Sequence, residues 1–218
     1  MNTHTSSRLL AATGVLAGVL YYVGGHVLQP SGDPSQRMND AEIVDWARDS
    51  YGALWAGGVV GLLSAVLVLT FGVAVCQRLD DWSASRPVTR TARASFQLTV
   101  GVLAVAGIMQ VLSGTGSMPD EHLESESFIP VMAILYGNLA ASAWCLLAPA
   151  AICMALATGA PRWLRITSGV LAVPLLAAIA LPPVSWPFGI LWVIVTSVGL
   201  TAPAFDVRRH EAVVAASK

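Results

Sequence analysis

The 218-residue sequence has little charge, since Asp, Glu, Lys and Arg together make up 11% of its residues. Soluble domains carry about 25% charged residues, which keep their surfaces in contact with water. Hydrophobic residues account for 55% of the chain, and the mean hydropathy is +0.66. This composition predicts an integral membrane protein whose direct surroundings are the lipid bilayer. The formal net charge of −1 predicts no nucleic-acid partner.

Cysteine and histidine are also scarce, with three and four residues. Cys76, Cys145 and Cys153 lie in apolar segments without a CxxC spacing, which argues against a disulfide scaffold or a thiol–disulfide enzyme. A haem held by two histidines would need both at membrane depth, and His26 alone lies near an apolar segment. The acidic run 118–126 contains His122, but its spacing matches neither an EF-hand nor a zinc motif. We therefore expect no cofactor and no metal.

Six long apolar segments account for most of the chain. A membrane-spanning helix needs about 20 mostly apolar residues, and the candidates are residues 9–28, 53–76, 94–113, 128–157, 166–181 and 187–205. We predict an all-α, polytopic membrane helix bundle that forms one domain over residues 1–218. The first apolar run is longer than the core of a signal peptide and lacks a following A-x-A site, so we expect it to be a span. Pro149 should kink the fourth span, with neighbouring helices binding the freed carbonyls.

Charge alternates in sign from loop to loop. Cytoplasmic loops of membrane proteins are enriched in Lys and Arg. Placing both termini in the cytoplasm puts ten of the twelve basic residues on that side, namely Arg8, Arg78, Arg86, Arg90, Arg93, Arg162, Arg165, Arg208, Arg209 and Lys218. The loops of residues 29–50 and 114–127 are acidic and would face outward. We predict a multi-pass protein of a bacterial inner (plasma) membrane with cytoplasmic N- and C-termini.

The first outer loop contains a helix signal. Asn39 can cap a helix with Glu42 at its third position, and Ile43, Trp46 and Ala47 then follow at helical spacing. This predicts a short amphipathic helix. We expect it to rest on the bilayer through its apolar residues, and a lid over an outward cavity is the alternative.

The centres of the predicted spans lack Asp, Glu, Lys and Arg. Ionisable residues at membrane depth mark ion paths and proton relays, so a proton-coupled pump is disfavoured. Small residues are spaced for close helix packing at Gly14 and Gly18, at Gly57 and Gly61, and in the ladder Ala133, Gly137, Ala141. Such spacing is common in membrane chains and does not establish a homo-oligomer.

A speculative ligand pocket follows from the polar residues near the outer ends of the spans. In the first span, Gly14, Gly18, Tyr22 and His26 recur every four residues, which we interpret as one helix face. Gln110 and Ser113 of the third span and Tyr136 and Asn138 of the fourth lie at comparable depth. The candidate pocket is therefore Tyr22, His26, Gln110 and Asn138. The competing interpretation is ordinary hydrogen bonding between helices.

The layout resembles a group of uncharacterised six-helix bacterial membrane proteins of the DUF4386-like kind. The resemblance rests on the apolar segment 9–28, on the stretch DAEIVDW of residues 40–46, and on YGALWAG of residues 51–57. It implies the six-helix membrane fold and brings no activity or functional residue with it.

Three functions compete. A non-enzymatic accessory or small-ligand or lipid-binding module, with a membrane-protein partner or a second copy of itself, explains the missing catalytic groups and is placed first. A small transporter is second, since it predicts broken helices and an internal repeat, and no repeat is evident. An intramembrane enzyme is last, because His26 is the sole candidate base and no carboxylate in the spans would orient it.

Overall fold

The computed structural model describes residues 3–28, 39–82, 85–115, 128–180 and 185–201, and the regular elements in these ranges are all helical. A π-helical turn, Val23–Val27, continues the first helix, and a 3-10 turn, Trp144–Leu147, joins the fifth to the sixth. The eight α-helices of the described residues are α1 (Thr3–Tyr22), α2 (Asp40–Asp49), α3 (Tyr51–Asp81), α4 (Arg86–Thr115), α5 (Phe128–Ala143), α6 (Ala148–Leu156), α7 (Arg162–Ala177) and α8 (Ser185–Thr201).

Three helical stretches are long and apolar enough to cross a membrane. They are Tyr51–Asp81, Arg86–Gly114 and Ile129–Leu156. Leu9–Gly25 and Ser185–Thr201 are apolar but shorter. The predicted all-helical class is confirmed for the described residues, and these three stretches fit a membrane protein. The acidic run 118–126, the connection at 181–184 and the basic tail lie outside the described residues.

The helices pack against one another as a bundle. α3 lies against α1 and α4, α4 against α5, α6 against α7, and α8 against α1 and α7. Four aromatic side chains fill the core between them: Phe71, Phe96, Trp144 and Trp192. The ring of Phe71 meets that of Phe96 edge-on at a centroid distance of 5.8 Å, an arrangement that aromatic pairs prefer. The bundle therefore has one aromatic core at its centre.

The predicted break at Pro149 takes the form of the 3-10 turn. Proline has no N–H to donate to the carbonyl of Cys145 four residues earlier, and the N–H of Ala148 donates to that carbonyl instead. Hydroxyls from two other helices bind carbonyls around the turn, because Ser95 of α4 donates to Leu146 and Ser185 of α8 donates to Ala141. The neighbouring helices thus hold the interrupted helix from two sides.

Serine hydroxyls tie other helices together in the same way. Ser64 of α3 donates to the carbonyl of Ala17 at 2.9 Å, and Ser197 of α8 donates to the carbonyl of Ala11. Both serines are fully buried. These bonds fix α1 between α3 and α8.

The predicted amphipathic helix that Asn39 begins is present as α2. Its capping box is complete, because Glu42 N–H donates to Asn39 Oδ1 at 3.0 Å and Asn39 N–H donates to Glu42 Oε2 at 2.8 Å. The surroundings of its apolar face differ from our expectation of a face resting on the bilayer. Ile43, Val44 and Ala47 are buried by the protein itself, because α2 packs mainly on α5.

Candidate functional site

A cavity of about 150 Å³ lies at the end of the bundle that carries α2. It is bounded by the π-helical turn and by α3, α4 and α5, with one residue each from α1 and α8. Its lining residues are Tyr21, Gly24, Gly25, Gly57, Gly61, Leu103, Ala106, Gly107, Gln110, Tyr136, Gly137, Ala140 and Trp186. None of these side chains is charged. We call this space the glycine cavity.

Missing side chains create the space. A Cβ built on Gly25 or Gly137 would meet no atom within 4 Å, and one built on Gly61 would have the Cα of Gly107 as its nearest neighbour, at 4.0 Å. Gly137 is exposed and Gly25 is partly exposed. The glycine cavity therefore reaches the protein surface on the side where α5 and the π-helical turn border it.

The π-helical turn brings the chain close to α3. Leu28 N–H donates to the carbonyl of Val23, five residues earlier, at 2.9 Å, and this wider loop holds one more residue than an α-helical turn. A Cβ on Gly24 would lie 3.0 Å from Val60 Cγ1 and 3.3 Å from the carbonyl oxygen of Gly57. Glycine at position 24 thus allows the backbones of the two helices to approach. π-Helical turns occur frequently at functional sites.

Gln110 supplies the amide of the glycine cavity. A Cβ on Gly57 would stand 2.6 Å from Gln110 Nε2 and 3.2 Å from the carbonyl oxygen of Gly24, so the amide and this carbonyl both lie close to Gly57. The Gln110 side chain is half-buried and hydrogen-bonds to none of the described residues. It offers two N–H donors and one carbonyl acceptor. An amide in this position is available to a ligand.

Aromatic side chains form the rest of the wall. Tyr21, Tyr136 and Trp186 line the glycine cavity. Tyr21 is held edge-on against the buried Trp144, with ring centroids 4.8 Å apart and planes at 77°. Their faces and edges favour flat, apolar groups.

α2 lies next to the glycine cavity through a shared residue. Val44 and Ala47 belong to the same buried cluster as Ile129 and Tyr136 of α5, and Tyr136 also lines the cavity. A single residue, Ser50, separates α2 from α3. A movement of α2 would therefore shift Tyr136 and change the wall of the cavity.

The structure places the predicted site residues in different surroundings. Gln110 lines the glycine cavity. Tyr22 is 52% exposed and is absent from the lining. Asn138 is exposed, and its Nδ2 donates to the carbonyl of Ile134 in its own helix at 3.0 Å. The side chain of His26 lies outside the described part of the structure.

The four-residue spacing of the predicted stripe explains why its residues do not all lie on one face of the first helix. Residues four apart are about 40° out of line at 3.6 residues per turn, and this offset accumulates along the helix. Gly14 contacts Phe71 of α3, Gly18 contacts Ile194 of α8, and Tyr22 reaches the surface. Tyr21, one residue earlier, is the tyrosine that lines the cavity. The Gly24-Gly25 pair in an apolar run was the available signal for this part of the site.

The described lining of the glycine cavity is suited to binding a small molecule. Among the described residues, the lining contains no carboxylate, histidine, cysteine or lysine. Among the described residues, no three His, Cys, Asp or Glu side chains group together as metal ligands would. Small-molecule sites are concave and mostly apolar, with a few placed polar groups, and the cavity has this character. No protein-family model, curated protein or solved structure matches the chain significantly.

Proposed function

We propose that this protein is a non-enzymatic, multi-pass membrane module that binds a small molecule in the glycine cavity. The observation that carries the proposal is the unpaired Gln110 amide in a preformed, uncharged space of about 150 Å³. An engineered apolar cavity of about this volume binds benzene. A molecule of one ring fits this space, whereas a whole phospholipid does not.

The proposal includes six membrane spans in one bacterial inner-membrane domain. α3, α4 and the α5–α6 pair have the required length. α1, α7 and α8 are added because they pack alongside these helices in the same bundle. At 1.5 Å per residue the 16 residues of α7 extend about 24 Å, less than the ~30 Å hydrocarbon core, and the bilayer can thin locally around a short span.

Both termini are proposed to be cytoplasmic. The described basic residues Arg78, Arg86, Arg90, Arg93, Arg162 and Arg165 belong to the ends of α3, α4 and α7 that lie away from α2. α2 carries Asp40, Glu42, Asp45 and Asp49 against one arginine, Arg48. This distribution supports an outward-facing α2 end. The glycine cavity would then lie in the outer half of the bundle.

Thiol labelling in intact cells tests the orientation. Asp45 and Ser85 are both exposed, and each is replaced by cysteine in a variant whose three native cysteines are alanine. A membrane-impermeant maleimide should label Asp45→Cys in intact cells, and should label Ser85→Cys only after permeabilisation. The reverse pattern would refute the proposed topology, and labelling of both in intact cells would refute the membrane crossing of α3.

Native mass spectrometry tests ligand binding at the glycine cavity. Protein extracted gently from its own membrane should retain a small molecule of defined mass. Gly25→Leu and Gly137→Leu, which fill open space, should abolish this adduct. Gly101→Leu is the matched control, because position 101 also has no neighbour within 4 Å but is absent from the cavity lining. An adduct that persists in both cavity variants would refute the site.

A small transporter is the second candidate. The π-helical turn and the 3-10 turn interrupt two helices, and broken helices near a binding site are typical of transporters. Purified protein in proteoliposomes should then move the ligand down its gradient into the lumen. Binding without such movement would favour the module.

A further inference from the structure

We infer that the ligand of the glycine cavity is an uncharged molecule with one planar ring and an amide or a similar donor–acceptor group, and that it enters from the hydrocarbon phase. This inference rests on the proposed function and names the chemical class that the cavity selects. Its parts follow from the charge, the hydrogen-bonding capacity, the shape and the opening of the cavity.

The described part of the lining carries no charge. Among the described residues, no lining side chain is an Asp, Glu, His, Lys or Arg, so a carboxylate or an ammonium group in the cavity would have no counter-ion among them. Transfer of an unpaired ion out of water is strongly unfavourable even after relaxation of the protein. A neutral ligand avoids this penalty.

The Gln110 amide defines the polar group of the ligand. The half-buried Gln110 amide has both N–H donors and a carbonyl acceptor, and a ligand with both an acceptor and a donor can pair with it. Primary amides and lactams have both on adjacent atoms.

The aromatic wall favours a flat ring beside that group. Tyr21, Tyr136 and Trp186 surround a volume of about 150 Å³, in which one six-membered ring fits. Aromatic pairs are stabilised beyond the burial of their area by the attraction between the edge of one ring and the face of the other. A saturated ring of equal size would lack this contribution.

The opening lies at membrane depth. Gly137 is the exposed member of the lining on α5 and is nine residues from Phe128, where α5 begins. At 1.5 Å per residue it lies about 14 Å along the helix, well inside a hydrocarbon core of about 30 Å. A neutral ring dissolved in the bilayer can enter there, and so can the ring of a longer lipid whose tail remains outside.

Fluorine NMR of matched ring probes with the full-length protein in nanodiscs tests the inference. The probes are 4-fluorobenzamide, 4-fluorobenzoate, 4-fluorotoluene and the saturated analogue 4-fluorocyclohexanecarboxamide, with empty nanodiscs as the partition control. 4-Fluorobenzamide should bind saturably, the benzoate about 100-fold more weakly, and the saturated amide several-fold more weakly. Equal binding of benzoate and benzamide, or of planar and saturated amides, would overturn the proposed ligand class.

Two amide substitutions make the test specific. Gln110→Leu removes the cavity amide and should weaken 4-fluorobenzamide about tenfold while leaving 4-fluorotoluene unchanged. Asn138→Leu removes an amide that bonds within its own helix and should change neither probe. Equal effects of Gln110→Leu on benzamide and toluene would show that its amide does not recognise the ligand, and would overturn the inference.

Two further measurements distinguish a free ring compound from a ring-bearing lipid, and an error in the ligand class from an error in the position of the site. If the natural ligand is a ring-bearing lipid, 4-octylbenzamide should bind at least as tightly as benzamide. If the natural ligand is a free ring compound, 4-octylbenzamide should bind weakly. Either result agrees with a ring-binding site. Retention of a native adduct that Gly137→Leu abolishes, together with no benzamide binding, would refute the ligand class alone. Benzamide binding that Gly137→Leu does not affect would refute the cavity itself.

Discussion

The amide of Gln110 lies where a side chain at position 57 would begin, since a Cβ on Gly57 would be 2.6 Å from Gln110 Nε2. The glycine in α3 therefore determines where the amide of α4 can lie. The neighbouring Gly58 has a different partner, because its Cβ would stand 2.8 Å from both the carbonyl oxygen of Gly107 and the N–H nitrogen of Val111. A flexible side-chain end can move away from a methyl group, whereas the backbone of a packed helix cannot.

Alanine at these two positions should therefore act differently. Gly58→Ala should force α3 and α4 apart and lower the free energy of unfolding by about 1–3 kcal/mol, the usual cost of overpacking. Gly57→Ala should lower stability less than Gly58→Ala, because its nearest backbone atom, the carbonyl oxygen of Gly24, is 3.2 Å from the added methyl group instead of 2.8 Å. It should also displace the Gln110 amide, which lowers ligand retention. Thermal unfolding and native mass spectrometry of both variants measure this, with Gly101→Ala as the control. Equal stability losses at 57 and 58 would contradict the assignment of their partners.

Loss of the Ser95 hydroxyl should loosen the interrupted helix. Ser95→Ala removes the donor to the carbonyl of Leu146, and a hydrogen bond between membrane helices contributes about 0.6–2 kcal/mol. We expect a measurably lower unfolding temperature. Thr70→Ala is the control, because the exposed Thr70 bonds to the carbonyl of Val66 in its own helix. If Ser95→Ala is no less stable than Thr70→Ala, the serine does not hold the break.

The capping box should control the order of α2. Asn39→Ala removes the acceptor for the N–H of Glu42 and should destabilise the helix by about 1 kcal/mol. Amide hydrogen exchange over residues 42–47 should become about fivefold faster. Asp45→Ala, which removes only the exposed pair between Asp45 and Arg48 at 3.6 Å, should change exchange much less. Equal protection in wild type and Asn39→Ala would show that packing on α5 alone orders α2.

The buried bond between Trp192 and Ser168 should be important for stability. Trp192 Nε1 donates to Ser168 Oγ at 3.1 Å, with both residues fully buried. Ser168→Ala leaves the indole N–H unpaired, which costs about 1–3 kcal/mol. The adjacent Thr167→Ala is the control, since the exposed Thr167 bonds to the carbonyl of Trp163 in its own helix. Differential scanning of both proteins should show a loss of stability for Ser168→Ala alone.

Local features of the fold could be predicted from the sequence, and the composition of the cavity could not. The capping box at Asn39 and Glu42 depends on residues three apart, so the pattern alone predicts it. The break before Pro149 is equally local, because the missing N–H belongs to that residue. Which serines would bind the freed carbonyls depends on helices far away in sequence, and Ser95 and Ser185 were not predicted.

The cavity combines glycines from four helical segments, and their roles differ. The Gly57–Gly61 spacing predicts close helix packing, yet a Cβ at 61 has only a distant neighbour while one at 57 would meet an amide. Sequence spacing cannot distinguish a glycine that admits a neighbouring helix from one that leaves space. It also cannot reveal the π-helical turn. The extra residue of this turn changes which side chains beyond Tyr22 lie on the same face as those of α1.

The serine bonds between helices place unequal constraints on their two partners. Ser64, Ser95, Ser185 and Ser197 each donate to a main-chain carbonyl of another helix, and every amino acid provides such an acceptor. Evolutionary substitution of the acceptor residue is therefore limited by side-chain size alone, whereas the donor must keep its hydroxyl. Divergent descendants of this chain should retain these serines while the residues they bind drift among small and apolar types.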